Sequence, residues 1–204
     1  MKLSSLFTHT FKNASSDLES RNAELLTKAG FIRQELAGVY SYLPLGLRVL
    51  NKIEEIVRSE MDKIGNEVLM PALSPKENWK TTGRLDTVDV LFQASGANDE
   101  SRRKNSGEYI LNSTHEETIT PLIKSFVSSY RELPVAAYQI QTKFRDEPRA
   151  KSGLLRGREF RMKDMYSFHA SENDLREFYE RMKERYMNVF RAVGIGEDTF
   201  CTFA

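Results

Sequence analysis

The sequence predicts an α+β fold, because two different periodicities occupy different segments of the chain. Apolar residues recur at steps of three and four at Leu47, Leu50, Ile53, Val57, Met61 and Ile64, and with the same repeat at Leu175, Phe178, Met182, Tyr186, Val189 and Val193. That is the stripe of an amphipathic helix. Between Tyr138 and Arg145 the step is two: Tyr138, Ile140, Thr142 and Phe144 alternate with Gln139, Gln141, Lys143 and Arg145, as in a strand with one buried face. At 204 residues and 40% apolar content, the chain is long enough to form one globular unit with a sizeable core.

The other elements follow in order. Residues 16–36 carry apolar positions that suit a helix. GVYSYLPLG, from Gly38 to Gly46, then places Pro44 between two glycines and predicts a turn or loop. The helix from Leu47 closes at Gly65. Val68, Leu69 and Met70 before Pro71 predict a short buried strand over Glu67 to Leu73. Residues 93–107 are rich in turn formers and read as an exposed loop. A strand starts at Tyr109 to Leu111, and Thr114 opens a helix to about Tyr130, with Thr114 and Glu117 spaced as a capping box. After the alternating strand, a long hairpin loop leads to a second strand from Glu159 to Phe168. Ser171 caps the last helix and Gly194 stops it.

Charge and cysteine usage narrow the function classes. Thirty basic and 29 acidic residues leave a net charge of +1, so no global field marks a nucleic-acid or membrane binder. A single cysteine, Cys201, excludes an internal disulfide and fits a reducing, cytoplasmic setting; His9, His115 and His169 lack metal-ligand spacing. No apolar run approaches the roughly 18 residues of a membrane span, so the chain reads as soluble. Locally the balance changes: residues 143–163 hold eight basic residues against three acidic ones. Such a segment is either a solvated basic hairpin or a site for a polyanion, in which arginine forks meet phosphate oxygens. Arg145, at the end of a strand, is the best placed of them.

Phe144-Arg145-Asp146-Glu147, a loop, and Arg158-Glu159-Phe160 resemble motif 2 of the class II aminoacyl-tRNA synthetases. Met162 to His169 (MKDMYSFH) is similar to the bacterial-type prolyl-tRNA synthetases rather than to their threonyl, seryl or histidyl relatives. Ala29 to Ile53 resembles that family's N-terminal stretch. Residues 47–71 resemble motif 1, and Thr114-His115-Glu116 its Thr-x-Glu loop. The resemblance implies an antiparallel sheet flanked by helices. It also implies activation of proline by ATP, with Mg²⁺, to prolyl-adenylate, transfer to tRNA(Pro), and a homodimer built through motif 1.

Residue by residue, the resemblance gives Arg145 to the α-phosphate and the proline carboxylate, Glu147 to the adenine end of ATP, and Arg156 to the outer phosphates. Phe160 would stack on adenine and Met162 would wall the proline ring. Thr114 and Glu116 would accept from the secondary ammonium of proline. Plainer readings stand beside these. Thr114 is also a helix cap with Glu117, Phe160 and Met162 also fit a core, Glu147 also fits an ion pair, and Arg156 also fits a surface charge. The likeness covers the N-terminal part of the class II catalytic domain and omits motif 3, the editing insertion and the anticodon-binding domain. The expectation is therefore a truncated catalytic fragment without robust exchange activity of its own. The alternative is a non-catalytic synthetase-like module that binds a nucleotide, a tRNA end or a protein partner.

Overall fold

The computed structural model describes residues 2–12, 20–150 and 153–202. Helix α1 spans Arg21–Lys28, and strands β1 (Ile32–Leu36) and β2 (Val39–Tyr42) follow as an antiparallel hairpin. Next come α2 (Pro44–Met61), β3 (Asn66–Glu67), β4 (Leu73–Pro75), α3 (Lys76–Thr81), β5 (Phe92–Ala94) and α4 (Asp99–Lys104). The rest are β6 (Tyr109–Leu111), α5 (Glu116–Phe126), β7 (Val135–Phe144), β8 (Glu159–Phe168) and α6 (Glu172–Ala192), with short 3₁₀ turns between. Beyond the hairpin there are two three-stranded sheets, ordered β3-β7-β8 and β4-β6-β5. The α+β expectation holds. The sheets are not uniformly antiparallel, however: β4 and β5 both run antiparallel to β6, but β3 pairs parallel with β7.

The chain divides into two compact units. The first comprises Met1–Leu50, Pro71–Thr118 and Thr142–Met162; the second comprises Asn51–Met70, Ile119–Gln141 and Lys163–Ala204. In the second, Met61, Tyr138, Ile140, Phe178 and Met182 form one apolar cluster, and Met70, Ile119 and Ala137 form another. In the first, Trp79 is fully buried and its indole N–H donates to Ser74 Oγ at 2.9 Å; Ser74 Oγ donates in turn to Asn112 Oδ1 at 2.6 Å. Buried polar groups that bond to one another in this way avoid the cost of desolvation without a partner.

Several local expectations need correction. The helix expected over 16–36 is only α1, and its residues 16–19 lie outside the described ones. Past Gly30 the chain turns into the β1–β2 hairpin, so GVYSYLPLG contains β2 and the first turn of α2, with Pro44 in the N-terminal position where its missing N–H costs nothing. The stripe of α2 is only partly covered: Met61 is buried, but Leu47 is 46% exposed. The strand expected over Glu67–Leu73 shrinks to the two residues of β3 and a separate β4; between them Val68 N–H still donates to the Tyr138 carbonyl at 2.8 Å. Residues 93–107 contain the end of β5 and the whole of α4, whose cap is Asn98, accepting from Ser101 N–H at 2.8 Å. The helix expected from Thr114 to Tyr130 is α5, which starts at Glu116 and ends at Phe126.

Strand β7 is not half-buried. Gln139 is as buried as Tyr138, because its amide is satisfied on both sides: Oε1 accepts from Met70 N–H at 3.1 Å and Nε2 donates to Asp164 Oδ2 at 3.0 Å. By contrast β6, β8 and α6 match their expected bounds. Ser171 Oγ accepts from Asp174 N–H at 3.3 Å to start α6. At its end Gly194 sits at φ 90°, Gly194 N–H bonds the Arg191 carbonyl and Ile195 N–H the Phe190 carbonyl, the pairing of a Schellman cap.

Burial along α2 fixes an expected outcome. Met61→Ala removes a fully buried side chain and lowers the unfolding free energy by about 2–5 kcal/mol. Leu47→Ala, at a half-exposed position of the same helix, changes it by about 0.5 kcal/mol or less. Urea titrations of the two variants make the comparison.

Candidate functional site

The basic segment between β7 and β8 is built against the β1–β2 hairpin. The turn residue Gly38 has φ 79°, a left-handed conformation that strains any residue with a Cβ. Its carbonyl accepts from Arg158 N–H at 2.7 Å and from Glu159 N–H at 3.3 Å. A Cβ at this position would lie 2.7 Å from the Ala150 Cβ and 2.9 Å from Arg158 N. The Arg158 side chain completes the junction, donating from Nε to the Glu147 carbonyl at 3.1 Å and from Nη1 to the Ala37 carbonyl at 3.3 Å. Arg145 N–H donates to the Arg158 carbonyl at 2.9 Å, closing the base of the connection.

A concave pocket of about 490 Å³ opens over this junction, lined by Tyr42, Leu50, Arg145, Glu147, Leu154, Leu155, Arg156, Gly157, Phe160 and Arg161. Four of the residues singled out from the sequence, Arg145, Glu147, Arg156 and Phe160, therefore meet in one place. The Arg145 guanidinium lies 5.3 Å from the Phe160 ring centroid. Glu147 and Arg156 form an ion pair at 2.9 Å; the Arg156 side chain is 63% exposed. The Glu147 side chain is only 13% exposed, so the pair is open on the arginine side alone. Strand β7 ends at Phe144, one residue short of the expected Arg145, so Arg145 and Glu147 both lie past the strand. Backbone bonds fix them instead: Asp146 N–H donates to the Val90 carbonyl at 2.8 Å and Glu147 N–H to the Arg145 carbonyl at 2.7 Å. Met162 is half-buried on β8 and is not among the lining residues; Lys151 of the basic window lies outside the described residues.

Thr114 and Glu116 belong to a second cluster, organised by a residue that the sequence reading missed. Arg84 Nη1 donates to Glu116 Oε2 at 2.8 Å and to Glu117 Oε1 and Oε2 at 3.0 and 3.1 Å, and Nη2 donates to Thr114 Oγ1 at 3.0 Å. The guanidinium sits 5.2 Å from the Trp79 ring centroid. Glu117 Oε1 also accepts from Thr82 Oγ1 at 2.9 Å. The Thr114 hydroxyl and the Glu117 carboxylate thus serve Arg84 rather than the reciprocal bonds of a capping box. Burial alone would push the Glu116 carboxyl up, but hydrogen bonds from Thr114 and Arg84 outweigh it and hold it below the ordinary carboxylate range.

His115, between these two residues, is buried; its Nε2 bonds the Pro71 carbonyl at 2.9 Å and its Nδ1 bonds Lys143 Nζ. With Nε2 donating to a carbonyl, Nδ1 is left as the acceptor for the lysine. Lys143 is 0% exposed, which overturns its place on a solvent face. His169 pairs with Asp174 at 2.7 Å and tilts against Phe178, a structural setting. Among the described residues, no group of three or more His, Cys, Asp or Glu is arranged to hold a metal. No helix of the described residues is long and apolar enough to cross a membrane.

Comparison with known proteins gives the same direction from sequence and from fold. Residues 97–201 match the model of the tRNA synthetase class II core domain (G, H, P, S and T). Over 196 residues, 96% of this chain, the sequence is 46% identical to proline–tRNA ligases of Bacillus cytotoxicus and Bacillus cereus, and it spans 34% of the length of each. The fold is similar to that of Giardia lamblia prolyl-tRNA synthetase in complex with prolyl-adenylate, with TM-score 0.74 and 21% identity over 81% of this chain and 34% of that one. It is also similar to that of Cryptosporidium parvum prolyl-tRNA synthetase complexed with L-proline and AMP, with TM-score 0.70 and 16% identity over 82% of this chain and 32% of that one.

The hairpin junction sets a stability test. Gly38→Ala meets both an unfavourable φ and two close neighbours, whereas Gly83→Ala meets a similar φ of 70° with nothing within 4 Å. Gly83→Ala costs about 1–2 kcal/mol from the backbone alone, and Gly38→Ala costs more. Equal losses in urea unfolding would show that the Arg158 junction yields freely.

Proposed function

Since the chain belongs to the tRNA synthetase class II core domain family, we propose that it supplies the ATP- and proline-binding part of a proline–tRNA ligase. The observation that carries this reading is the pocket that gathers Arg145, Glu147, Arg156 and Phe160. In the proposed roles, Phe160 stacks on adenine, Glu147 accepts from its edge, Arg145 neutralises the α-phosphate and the proline carboxylate, and Arg156 leaves Glu147 for the outer phosphates. A carboxylate oxygen of proline then attacks the α-phosphorus, and the bond to the β-phosphate oxygen breaks with release of pyrophosphate. Positioning and charge neutralisation carry such a step, and no protein nucleophile is needed.

Thr114 and Glu116 are proposed to accept from the proline ammonium, and Met162 to wall the ring. Mg²⁺ is proposed to enter on the outer phosphates. The pocket lining offers one carboxylate, Glu147, already engaged by Arg156, so no residue of this chain is assigned as a metal ligand and no step is derived through the ion. The proposal includes motif 1 at about residues 47–71, the Thr-x-Glu loop at 114–116, motif 2 at about 143–168, a cytoplasmic setting and transfer of proline to tRNA(Pro). Homodimer formation through α2 is supported by Leu47, Val49 and Ile53, all substantially exposed large apolar side chains on one helix.

Calorimetric titrations of the chain separate the two substrates. Arg145→Ala weakens ATP binding by roughly 10- to 100-fold, the loss of charge-assisted hydrogen bonds. Glu116→Gln weakens proline binding far more than ATP binding. Equal losses for both ligands in Glu116→Gln would remove the assignment of this carboxylate to the ammonium.

A further inference from the structure

We propose that Arg84 is a positioning residue for the amine subsite: it offsets one of the two charges of the Glu116–Glu117 pair and steers Glu116, leaving one net negative charge that a ligand reaches at the accessible carboxylate. The proposal rests on the assignment of Thr114 and Glu116 to the proline ammonium. One guanidinium donates to both carboxylates and to the Thr114 hydroxyl, with all four contacts between 2.8 and 3.1 Å. The two carboxylates differ sharply in exposure, the Glu117 side chain being 1% exposed and that of Glu116 48%.

That asymmetry decides where the charge goes. An ionised carboxylate as buried as Glu117 needs a cation in contact, and the Arg84 guanidinium is the cation it contacts. Its single positive charge is shared by the two acids, so the pair keeps one net negative charge, and only the exposed Glu116 presents it to a ligand. The remaining donors hold the geometry: Arg84 Nη1 fixes Glu116 Oε2, and Arg84 Nη2 occupies one acceptor site of the Thr114 hydroxyl. A hydroxyl has two acceptor sites, so Thr114 keeps one for an incoming N–H. Trp79 beneath the guanidinium, with its own N–H tied to Ser74, keeps the fork in one plane. The subsite built this way takes a single cationic amine, with one acceptor from a carboxylate and one from a hydroxyl. It offers a second cation no charge to bind.

The test uses Arg84→Met and Arg84→Lys, with two readouts on the chain. The first is the titration of the Glu116 carboxyl by carbon NMR with carboxyl-labelled glutamate, which requires no ligand. Losing the guanidinium raises its midpoint by about one pH unit or more, because an opposite charge in contact has been removed; Arg84→Lys restores most of the shift. The second is the pH profile of proline binding. In wild type, affinity falls only as pH drops below the ordinary carboxylate range, whereas in Arg84→Met it falls at higher pH and is about tenfold weaker near neutrality. ATP affinity is unchanged in both variants. An unmoved Glu116 midpoint overturns the proposal, as does a parallel loss of ATP and proline affinity, which marks a merely structural role. If the wild-type chain binds ATP but not proline, the assignment of Thr114 and Glu116 fails, while the carboxyl titration still decides whether Arg84 sets the charge on Glu116.

Discussion

Everything in the basic pocket depends on how the Arg158 junction absorbs one positive charge without neutralising its neighbours. A connection with eight basic residues in twenty-one positions repels itself unless something fixed holds it. The main chain at Gly38 does so: its carbonyl takes two N–H groups from the start of β8, while the Arg158 fork ends on the carbonyls of Ala37 and Glu147. Carbonyl dipoles satisfy the hydrogen bonds of a guanidinium but leave its charge intact. The local potential stays positive, and Arg145 is set in it by backbone geometry. The single carboxylate of the pocket lining, Glu147, holds Arg156 at 2.9 Å, with the arginine side of the pair exposed.

The parts of the fold that could be read from sequence are those fixed by local chemistry. β6, β8 and α6 begin and end where cap residues, glycine and alternation say they should. The misreadings come from partners far away in the chain. Alternation put Gln139 and Lys143 on a wet face, and nothing within ten residues contradicts it. The Gln139 amide is satisfied by Met70 and Asp164, and the Lys143 ammonium by His115, at separations of 69, 25 and 28 residues. A polar residue is buried only when such partners arrive, and period-two counting cannot register them. In α4 the opposite happened. A helix with no buried residue is held by its Asn98 cap and by the Arg102–Asp99 and Lys104–Glu100 pairs, so it carries no apolar signal to detect.

The site was legible to the extent that its residues sit in one short stretch. Arg145, Glu147, Arg156 and Phe160 fall within sixteen positions and share a motif, so their meeting in a pocket was foreseeable even though β7 ends one residue earlier than expected. Arg84 had no such signal. It lies in a polar run, TTGRLDT, and reaches its acceptors across 30 to 33 residues. What the sequence did contain was Glu116 next to Glu117, of which the first turn of α5 buries the second. A buried acid implies a cation, and the search for that cation leads to Arg84 only when Trp79 and the start of α5 are in place.

The two clusters of the first unit carry opposite signs, and this bears on how an amino acid would be oriented. The pocket lining holds Arg145, Arg156 and Arg161 against Glu147, while the Arg84 cluster holds two carboxylates against one guanidinium. An amino acid presents the same two signs at its two ends, and a nucleotide adds further negative charge at the end that reacts. Placing the carboxylate and phosphates on the arginines and the ammonium on Glu116 satisfies every charge. The reverse placement sets phosphate against carboxylate and ammonium against guanidinium, repulsions that grow as water is excluded. Under the proposed function, orientation is imposed by the separation of charge before any shape-specific contact is made, and a wall at Met162 has only to select among amines already correctly turned.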